Sequence, residues 1–422
     1  MNTRAAIDDS PCPTALSVAF NQDFSCFSVA LEDGFRVYSA PACECLKSRD
    51  LGQGLGCAEM LGKMNYLALV GGGKSPKYAQ NKVIIWDESK HKAVFTLELR
   101  TPVQRIRLTR SYIVAVLLNS IHLYKFSSPP EKIKEFETSN NAFGLCCLGN
   151  DILVFPGRTP GQVQVVKLAT RNVSIIPAHS SALRALSLSP DGTVIATASE
   201  QGTLIRLWSV GSCARLGEFR RGIDAATIFS IALSPSNAFL AVTSDKGTLH
   251  IFDLPGPRNS TSSSDPSTPR RPSSISSDFS GALESGNGAA DPQATGSKWG
   301  ILGKIPGLPT LFSDTYSSAK TGFEIGEEPE LWATHTKRNI NTAAVAGSSS
   351  AAPGAKTLNW NTPIQGVAGG RPPKGVVGWL NDYELLVIGA GQDARWERFR
   401  IGLADDGKRF VVRDGWKKIM ER

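Results

Sequence analysis

The sequence predicts an all-β fold, and more specifically a single seven-bladed β-propeller. Three observations support this prediction. Short strand-like runs follow one another from residue 14 to 254, one unit of these runs is repeated, and the repeat has a period in the forties. From 14 to 413 the chain has room for about seven blades of roughly 40–45 residues each, allowing for insertions.

The strand-like runs are apolar or alternating, rich in Val, Ile, Leu and aromatic residues, and bounded by Gly, Pro, Asn, Asp or Ser. Clear examples are residues 16–20, 66–70, 83–86 and 113–118. No helical period is sustained among them. Evenly spaced strands of this kind are typical of a sandwich, a barrel or a propeller, so strand content alone leaves all three open.

The internal repeat decides among these folds. Residues 184–208 read RALSLSPDGTVIATASEQGTLIRLW, and residues 229–252 read FSIALSPSNAFLAVTSDKGTLHIF. Both run strand, Ser-Pro turn, strand, Gly-Thr-Leu hairpin and strand, with an aromatic residue near the end. Weaker copies occupy residues 18–38 and 66–87. A repeat of this length with this pattern predicts propeller blades.

Two inserts interrupt the pattern after residue 254. Eleven of the 31 residues from 255 to 285 are Ser and five are Pro, a composition that cannot bury a core and predicts disorder. The predicted organisation is an N-terminal tail (1–13), one propeller (14–413) with a blade-six loop (255–320) and a low-complexity insert in blade seven (342–374), and a basic C-terminal tail (414–422).

Composition narrows the classes of partner. The net charge of +8 favours an anionic partner, which leaves nucleic acid, acidic protein and an anionic membrane surface open. No apolar run approaches the roughly 20 residues that a transmembrane helix needs, so any membrane contact is expected to be peripheral. The close pairs Cys43/Cys45 and Cys146/Cys147 lack the C-x₂-C spacing of zinc sites. We predict buried thiols, no metal and no cofactor.

The most specific chemical feature is Phe219-Arg220-Arg221-Gly222, between the two clear repeats. Successive side chains of an extended segment point to opposite sides, so the two arginines are expected to serve separate pockets in blades five and six. Guanidinium groups match phosphate oxygens bidentately, and hydroxyls and imidazoles complete such a shell. The candidate phosphate ligands from the repeats are His179, Ser199, Thr203, Arg206, Ser244, Thr248 and His250.

The sequence resembles the PROPPIN family, WIPI-type propellers that bind polyphosphoinositides and share a Phe/Leu-Arg-Arg-Gly motif. The resemblance covers residues 14 to 254. Besides the arginine motif it rests on Phe20-Asn21-Gln22-Asp23, Ser25-Cys26-Phe27, Leu67-Ala68-Leu69-Val70-Gly71-Gly72-Gly73, Leu153-Val154-Phe155-Pro156-Gly157, Ala178-His179, Ala196-Thr197-Ala198-Ser199, Gly202-Thr203-Leu204-Ile205-Arg206 and Ser244-Asp245-Lys246-Gly247-Thr248. Residues 331–422 match the family poorly.

The resemblance implies an autophagy effector with two headgroup sites, for phosphatidylinositol 3-phosphate and phosphatidylinositol 3,5-bisphosphate. It implies a cytoplasmic protein bound peripherally to pre-autophagosomal, endosomal and vacuolar or lysosomal membranes. A lipid-transfer protein is the implied partner, through the blade two–three region. The expected protein is a monomer that does not bind nucleic acid.

A second membrane contact is expected in the blade-six loop. Between residues 296 and 320, apolar side chains alternate with lysines, as in an interfacial anchor. Pro306 and Pro309 limit any helix there to a short one. The predicted membrane-inserting residues are Trp299, Ile301, Leu302, Ile305, Leu308, Leu311 and Phe312. The alternative is that these side chains pack back onto the propeller.

Signals of catalysis are weak. Gly73-Lys74-Ser75 ends like a phosphate-binding loop, but Ala68 stands at the first glycine position and Pro76 stands where a helix should begin. No nucleophile–base set or carboxylate pair recurs in a recognisable context, so we predict a non-enzyme. The rival interpretation is a generic WD-type scaffold whose basic patch binds acidic protein or RNA.

Overall fold

Seven sheets, each with four antiparallel strands, form the blades of a closed β-propeller. The computed structural model describes residues 13–254, 315–326 and 363–420. The first strand of each blade contacts the first strand of the next, and the first strand of blade seven returns to that of blade one. The predicted fold class is therefore confirmed.

The blades are filled in chain order, each from its innermost to its outermost strand. Blades one to four contain β1 (Ala15–Phe20), β2 (Cys26–Leu31), β3 (Gly34–Ser39), β4 (Glu44–Asp50), β5 (Leu55–Met60), β6 (Tyr66–Gly71), β7 (Lys82–Asp87), β8 (Lys92–Glu98), β9 (Val103–Leu108), β10 (Tyr112–Leu117), β11 (Ser120–Lys125), β12 (Glu131–Glu137), β13 (Cys147–Leu148), β14 (Ile152–Pro156), β15 (Gln162–Lys167) and β16 (Val173–Pro177). The rest of the chain contributes β17 (Leu183–Leu188), β18 (Val194–Ser199), β19 (Leu204–Ser209), β20 (Arg215–Arg220), β21 (Ile228–Leu233), β22 (Phe239–Ser244), β23 (Thr248–Asp253), β24 (Thr315–Tyr316), β25 (Ala319–Gly322), a 3₁₀ turn (Ala368–Gly370), β26 (Val376–Asn381), β27 (Glu384–Gly389), β28 (Arg395–Leu403) and β29 (Arg409–Lys418).

Burial explains why these runs form strands. The middle strands, such as β10, are buried on both faces between neighbouring blades and are nearly continuous in Val, Ile, Leu and Ala. The outer strands, such as β4, are polar and largely exposed. The hydrophobic core is therefore divided into clusters between adjacent blades; one of them joins blades five and six through Phe219 and Phe252, whose ring centroids are 5.5 Å apart.

The ring is closed by contacts between blades one and seven. Ala15 and Gly391 exchange two main-chain hydrogen bonds, of 3.2 and 2.8 Å. The Trp396 indole donates to the carbonyl oxygen of Ala40 at 2.8 Å, and the Tyr38 hydroxyl donates to that of Ile419 at 2.8 Å. All four strands of blade seven come from the C-terminal part of the chain.

The last strand corrects one predicted boundary. We expected a basic tail from residue 414, but β29 continues to Lys418 and pairs with β28 along its length. Lys417 then donates from Nζ to the carbonyl oxygen of Ala42 at 2.8 Å. These basic residues therefore belong to blade seven and to its junction with blade one.

The end of the predicted blade-six loop also forms strands. Strand β25 pairs with β23 and completes blade six. Strand β24 adds a fifth, parallel strand to blade five, where Tyr316 lies opposite Arg220. These residues are distant in sequence from both blades, so the repeat pattern gave no sign of them.

The end of the low-complexity insert is built into the ring as well. Gln365 accepts a hydrogen bond from the Gly73 amide at 2.9 Å, and the Gly369 amide donates to Ala142 at 2.7 Å. Gly366 has φ 73°, and a β-carbon there would lie 2.2 Å from the carbonyl oxygen of Gly71, so only glycine allows this close approach. Residues 363–374, the end of the predicted low-complexity insert, therefore form an ordered segment that precedes β26.

Candidate functional site

The paired arginines lie at the end of β20, where blade five leads into blade six. Phe219 is buried in the core, so strand alternation places the Arg220 side chain on the opposite face. Arg221 follows the strand and is only 9% exposed. Its Nε donates to the carbonyl oxygen of Gly202 at 2.8 Å, and its Nη2 donates to that of Asp224. The sequence did not predict this second, structural use of Arg221.

The blade-five candidates gather around His179. Its Nε2 lies 2.9 Å from the Thr197 hydroxyl. Arg206 donates from Nη1 to the carbonyl oxygen of Ala178 at 2.7 Å and from Nε to Glu218 at 2.7 Å. The predicted ligand Arg206 thus already has a carboxylate partner, which sequence spacing could not reveal because the pairing depends on the register between β19 and β20.

The other two blade-five candidates lie nearer to the arginine pair. Ser199 is buried at the end of β18, and the carbonyl oxygen of Thr203 accepts a hydrogen bond from the Arg221 amide at 2.9 Å. Thr197 was missed by the sequence analysis. Its buried hydroxyl contacts both His179 and the Trp208 indole, at 2.9 and 3.1 Å. Thr197 and Ser199 are two residues apart on β18 and therefore lie on the same face of the strand. This spacing could have identified Thr197 from the sequence.

The blade-six candidates form a second cluster. The hydroxyls of Ser244 and Thr248 lie 3.2 Å apart. Nδ1 of His250 lies 3.1 Å from the hydroxyl of Ser317, and the ring stacks against Phe252. Within the part of the chain that the structure describes, the buried Nε2 of His250 has no hydrogen-bond partner.

Cations converge on His250. Burial, together with the charges of Lys320 and Arg221, lowers the pKa of His250 to about 4. Lys320 lies directly opposite His250 across the β23–β25 pairing. Asp245 acts on the charge of Arg221 from the adjoining turn. Lys320 and Ser317 are site residues that the sequence analysis missed, because they follow the insert and are joined to blade six only by strand pairing.

His179 has the same electrostatic character in blade five. Burial lowers its pKa to about 4, and the nearby Arg206 charge contributes. Both imidazoles are therefore neutral at neutral pH. Each is placed where a bound anion would favour its protonated form.

The remaining expectations have different outcomes. The seven predicted membrane-inserting residues lie outside the described residues, so the membrane-insertion prediction stays a prediction. Next to the arginine motif, however, Ile223 is 82% exposed. Burial raises the pKa of the Cys43 and Cys146 thiols to about 12, as expected for unreactive thiols. Across the described ranges, no group of metal-ligating side chains is found. None of the helical structure described is long and apolar enough to cross a membrane.

Together these features define a WD-type β-propeller with a basic, histidine-containing rim between blades five and six. The family model of PROPPIN matches residues 15–280, and the chain belongs to the PROPPIN family. The predicted resemblance is confirmed.

Relatives and solved structures agree with this assignment. The chain is 51% identical to SVP1-like protein 2 of Emericella nidulans over 86% of this chain and 99% of the relative. It is 40% identical to the Neurospora crassa protein of the same name over 99% of both chains. The Hsv2 structure from Kluyvelomyces marxianus superposes with a TM-score of 0.66 at 20% identity, covering 97% of this chain and all of that one. A complex of KlAtg21 with the coiled coil of AgAtg16 superposes with a TM-score of 0.59 at 17% identity, covering 96% of this chain and 99% of that one.

Proposed function

We propose that the protein is a phosphoinositide-binding effector of autophagy that is recruited to membranes through two pockets flanking Phe219-Arg220-Arg221-Gly222. Membership of the PROPPIN family supports the class. The observation that supports the site most directly is the convergence of Arg221 and Lys320 on the buried, neutral His250. A phosphate group there would meet two cations and an imidazole able to take up a proton.

The blade-six pocket is the better-formed of the two. Its donors are the Lys320 ammonium, the hydroxyls of Ser244 and Thr248, and His250 Nε2, which is buried without a partner among the described residues. Buried polar atoms usually have partners, so the state of this imidazole favours a ligand. The carboxylate of Asp245 repels any anion in this pocket. It therefore favours an anion with enough charge to be held by both Lys320 and Arg221.

The blade-five pocket is proposed from Arg220, Arg206, His179, Ser199 and Thr203. Because Arg206 is paired with Glu218 at 2.7 Å, a phosphate group there must share this guanidinium with the carboxylate. We therefore expect blade five to bind a headgroup more weakly than blade six.

Two weak pockets on one rim suit a membrane ligand. Once one headgroup is bound, the second binding event is effectively intramolecular, which multiplies the overall affinity. The proposed ligands are phosphatidylinositol 3-phosphate and phosphatidylinositol 3,5-bisphosphate. The proposed locations are pre-autophagosomal, endosomal and vacuolar or lysosomal membranes, bound from the cytoplasmic side.

The proposed role is that of a non-enzymatic scaffold. A protein partner is supported by the complex of the similarly folded KlAtg21 with a coiled coil of AgAtg16. A lipid-transfer protein bound near blades two and three, and a monomeric state, are parts of the same proposal.

Liposome flotation tests the proposal against the generic scaffold. Vesicles with matched total negative charge should carry either one phosphoinositide from a complete panel or phosphatidylserine alone. A lipid effector should float only with particular phosphoinositides, whereas a generic basic surface follows total anionic charge. Equal flotation on all vesicles of the same charge would contradict the proposed function.

A further inference from the structure

The first strands of all seven blades surround a cavity of about 540 Å³ on the axis of the ring. Side chains that alternate along β9 and β17 turn charged groups toward it. Its lining includes five basic residues and two acidic ones: Arg105, Arg107, Arg184, Arg371, Lys374, Asp23 and Glu59. An axial cavity with this excess of positive charge is expected to contain an anion.

The two acidic residues do not supply that counter-charge. Glu59 is bound bidentately by Arg107, with both oxygens 3.0 Å from Nη1, so this pair is balanced. Asp23 is paired at 3.4 Å with Lys63, which does not line the cavity. Of the three arginines that β9 and β17 contribute to the lining, Arg105 and Arg184 remain to be considered.

Arg105 and Arg184 are held together by Phe143. The Arg184 guanidinium lies over the phenyl ring, 3.9 Å from its centroid, and Arg105 Nη2 donates to the Phe143 carbonyl oxygen at 3.3 Å. Over residues 13–254, 315–326 and 363–420, neither arginine forms an ion pair with a carboxylate.

These two guanidinium groups also repel each other. Burial and the charge of Arg105 lower the pKa of Arg184 to about 10, against the opposing charges of Asp245 and Glu200. The pKa of Arg105 is lowered by burial and by the charge of Arg107. Like charges gathered in a partly dehydrated cavity are unfavourable without an anion.

The ordered segment 363–374 adds Arg371 and Lys374 to the same cavity. This segment is fixed beside Phe143, because the Gly369 amide donates to Ala142 and a β-carbon at Gly369 would lie 2.7 Å from the Phe143 ring. Lys374 is only 2% exposed. Basic residues from blades three and five and from this segment therefore line the same cavity.

We propose that the axial cavity binds a small, soluble polyanion bearing several phosphate groups, with Arg105 and Arg184 as its principal contacts. Guanidinium groups are suited to bidentate phosphate recognition, and the cavity volume lies within the roughly 300–1,000 Å³ typical of small-molecule sites. This site is separate from the rim between blades five and six and does not depend on the proposed membrane function.

The test uses the full chain with inositol hexakisphosphate as the probe. Binding is measured by titration calorimetry in phosphate-free buffer, and stability by the thermal unfolding midpoint with and without the probe. Arg105→Gln and Arg184→Gln should each weaken binding about ten- to a hundredfold, as expected for loss of a charge-assisted bond, and remove most of the stabilisation. Arg158→Gln, which removes an exposed arginine elsewhere, should change neither.

Further variants distinguish binding in the axial cavity from binding at the rim between blades five and six. Lys320→Ala, a rim variant, should still be stabilised by inositol hexakisphosphate. The Arg105 and Arg184 variants should still float with vesicles containing phosphatidylinositol 3-phosphate. Arg105→Lys and Arg184→Lys preserve charge and serve if the Gln variants do not fold; both should weaken binding through loss of the planar fork. The proposal is wrong if inositol hexakisphosphate does not bind the native chain, if the Arg105 and Arg184 variants bind it normally, or if Lys320→Ala abolishes the stabilisation.

Discussion

Arg221 donates a hydrogen bond from Nε to the carbonyl oxygen of Gly202, at 2.8 Å. This bond links the second arginine of the motif to the hairpin that joins β18 and β19. Because Arg221 also donates to Asp224, its guanidinium fixes the turn that leads into blade six. The residue proposed to bind lipid therefore also holds the pocket in shape.

Arg221→Ala should consequently lower stability as well as lipid binding. It leaves two main-chain carbonyl groups without their donor, and we expect a loss of about 1–3 kcal/mol in the free energy of unfolding. Urea denaturation measures this change. The control is Arg215→Ala, which removes an equally charged but exposed side chain of β20 and should cost less than about 1 kcal/mol. Equal stability of the two variants would show that the bonds to Gly202 and Asp224 are unimportant.

The two arginines should have separable effects on headgroup stoichiometry. Arg220→Ala should abolish the blade-five site, and Arg221→Ala should abolish the blade-six site. Calorimetric titration of soluble inositol 1,3-bisphosphate should give two sites in the native chain and one in each single variant. Membrane binding should weaken about ten- to a hundredfold in each, through lost affinity and lost bivalency. Two sites in either variant would refute the assignment.

Lys320→Ala tests the residue that joins the site from beyond the insert. Removing the ammonium group opposite His250 should weaken the blade-six site about tenfold or more, since hydrogen bonds to charged groups contribute about 1.5–3 kcal/mol. Without the repulsive charge, the His250 pKa should rise, which NMR titration of the imidazole measures. Lys408→Ala, at an exposed lysine of blade seven, is the matched control. An unchanged His250 titration would place Lys320 outside the site.

Headgroup binding should tighten as pH falls from 7 toward 5. His179 and His250 have pKa values of about 4 in the free protein, and a bound phosphate group raises them by favouring the imidazolium form. Binding therefore takes up protons. Affinity measured at several pH values should show this dependence in the native chain and lose part of it in His250→Gln. A pH-independent affinity would exclude the imidazoles from the contact.

Stability without ligand should change in the opposite direction. Both histidines have a folded-state pKa near 4 and an unfolded value near 6.5, so the unfolded chain binds more protons between these limits. The free energy of unfolding should thus fall as pH decreases from about 6.5 to 4, and be unaffected by these groups above 6.5. Denaturation curves of His179→Gln should show a shallower decrease than the native chain. A parallel curve would show that His179 does not contribute.

Ile223 should contribute to membrane contact without affecting headgroup recognition. Its side chain is 82% exposed two residues after Arg221, where a bilayer bound at the rim would receive it. Ile223→Ser should weaken membrane binding in flotation about ten- to a hundredfold, in line with about 1.5–3 kcal/mol for burying such a side chain, and leave titration with soluble headgroup unchanged. The control Leu216→Ser alters an exposed apolar residue of β20 and should have no effect. Loss of both readouts in Ile223→Ser would indicate a structural defect.

The sequence predicted the parts of the site that depend on the repeat. Ser199 and Thr203 and their blade-six counterparts Ser244 and Thr248 follow from the aligned copies, because each copy forms the same strands and turns. The Arg206–Glu218 pair and the Lys320–His250 pair could not be predicted. Each depends on which residues face each other across two strands, and such register is not visible in one strand's own sequence.

The ordered segment 363–374 shows a different limit of sequence interpretation. Its glycines and prolines are typical of a flexible linker. Here the glycines allow the main chain to pass close to Gly71 and to Phe143. The same residue types that are typical of a linker therefore permit close packing. The sequence interpretation was closest to the structure where two clear copies could be compared, and furthest from it at β29, which has no matching copy.

The pairing of β23 with β25 has a consequence for the integrity of the chain. Residues 255–314 stand in the chain between β23 and β24, while Ile251 and Ala319 are partners in the ladder. A protease cut within that stretch would yield two fragments, one ending in β23 and the other supplying β24, β25 and the whole of blade seven. Strand pairing and the seam with blade one would hold them together, so the nicked protein should migrate as two bands after denaturation yet elute as one particle. The same division offers a split reporter whose halves reconstitute the rim.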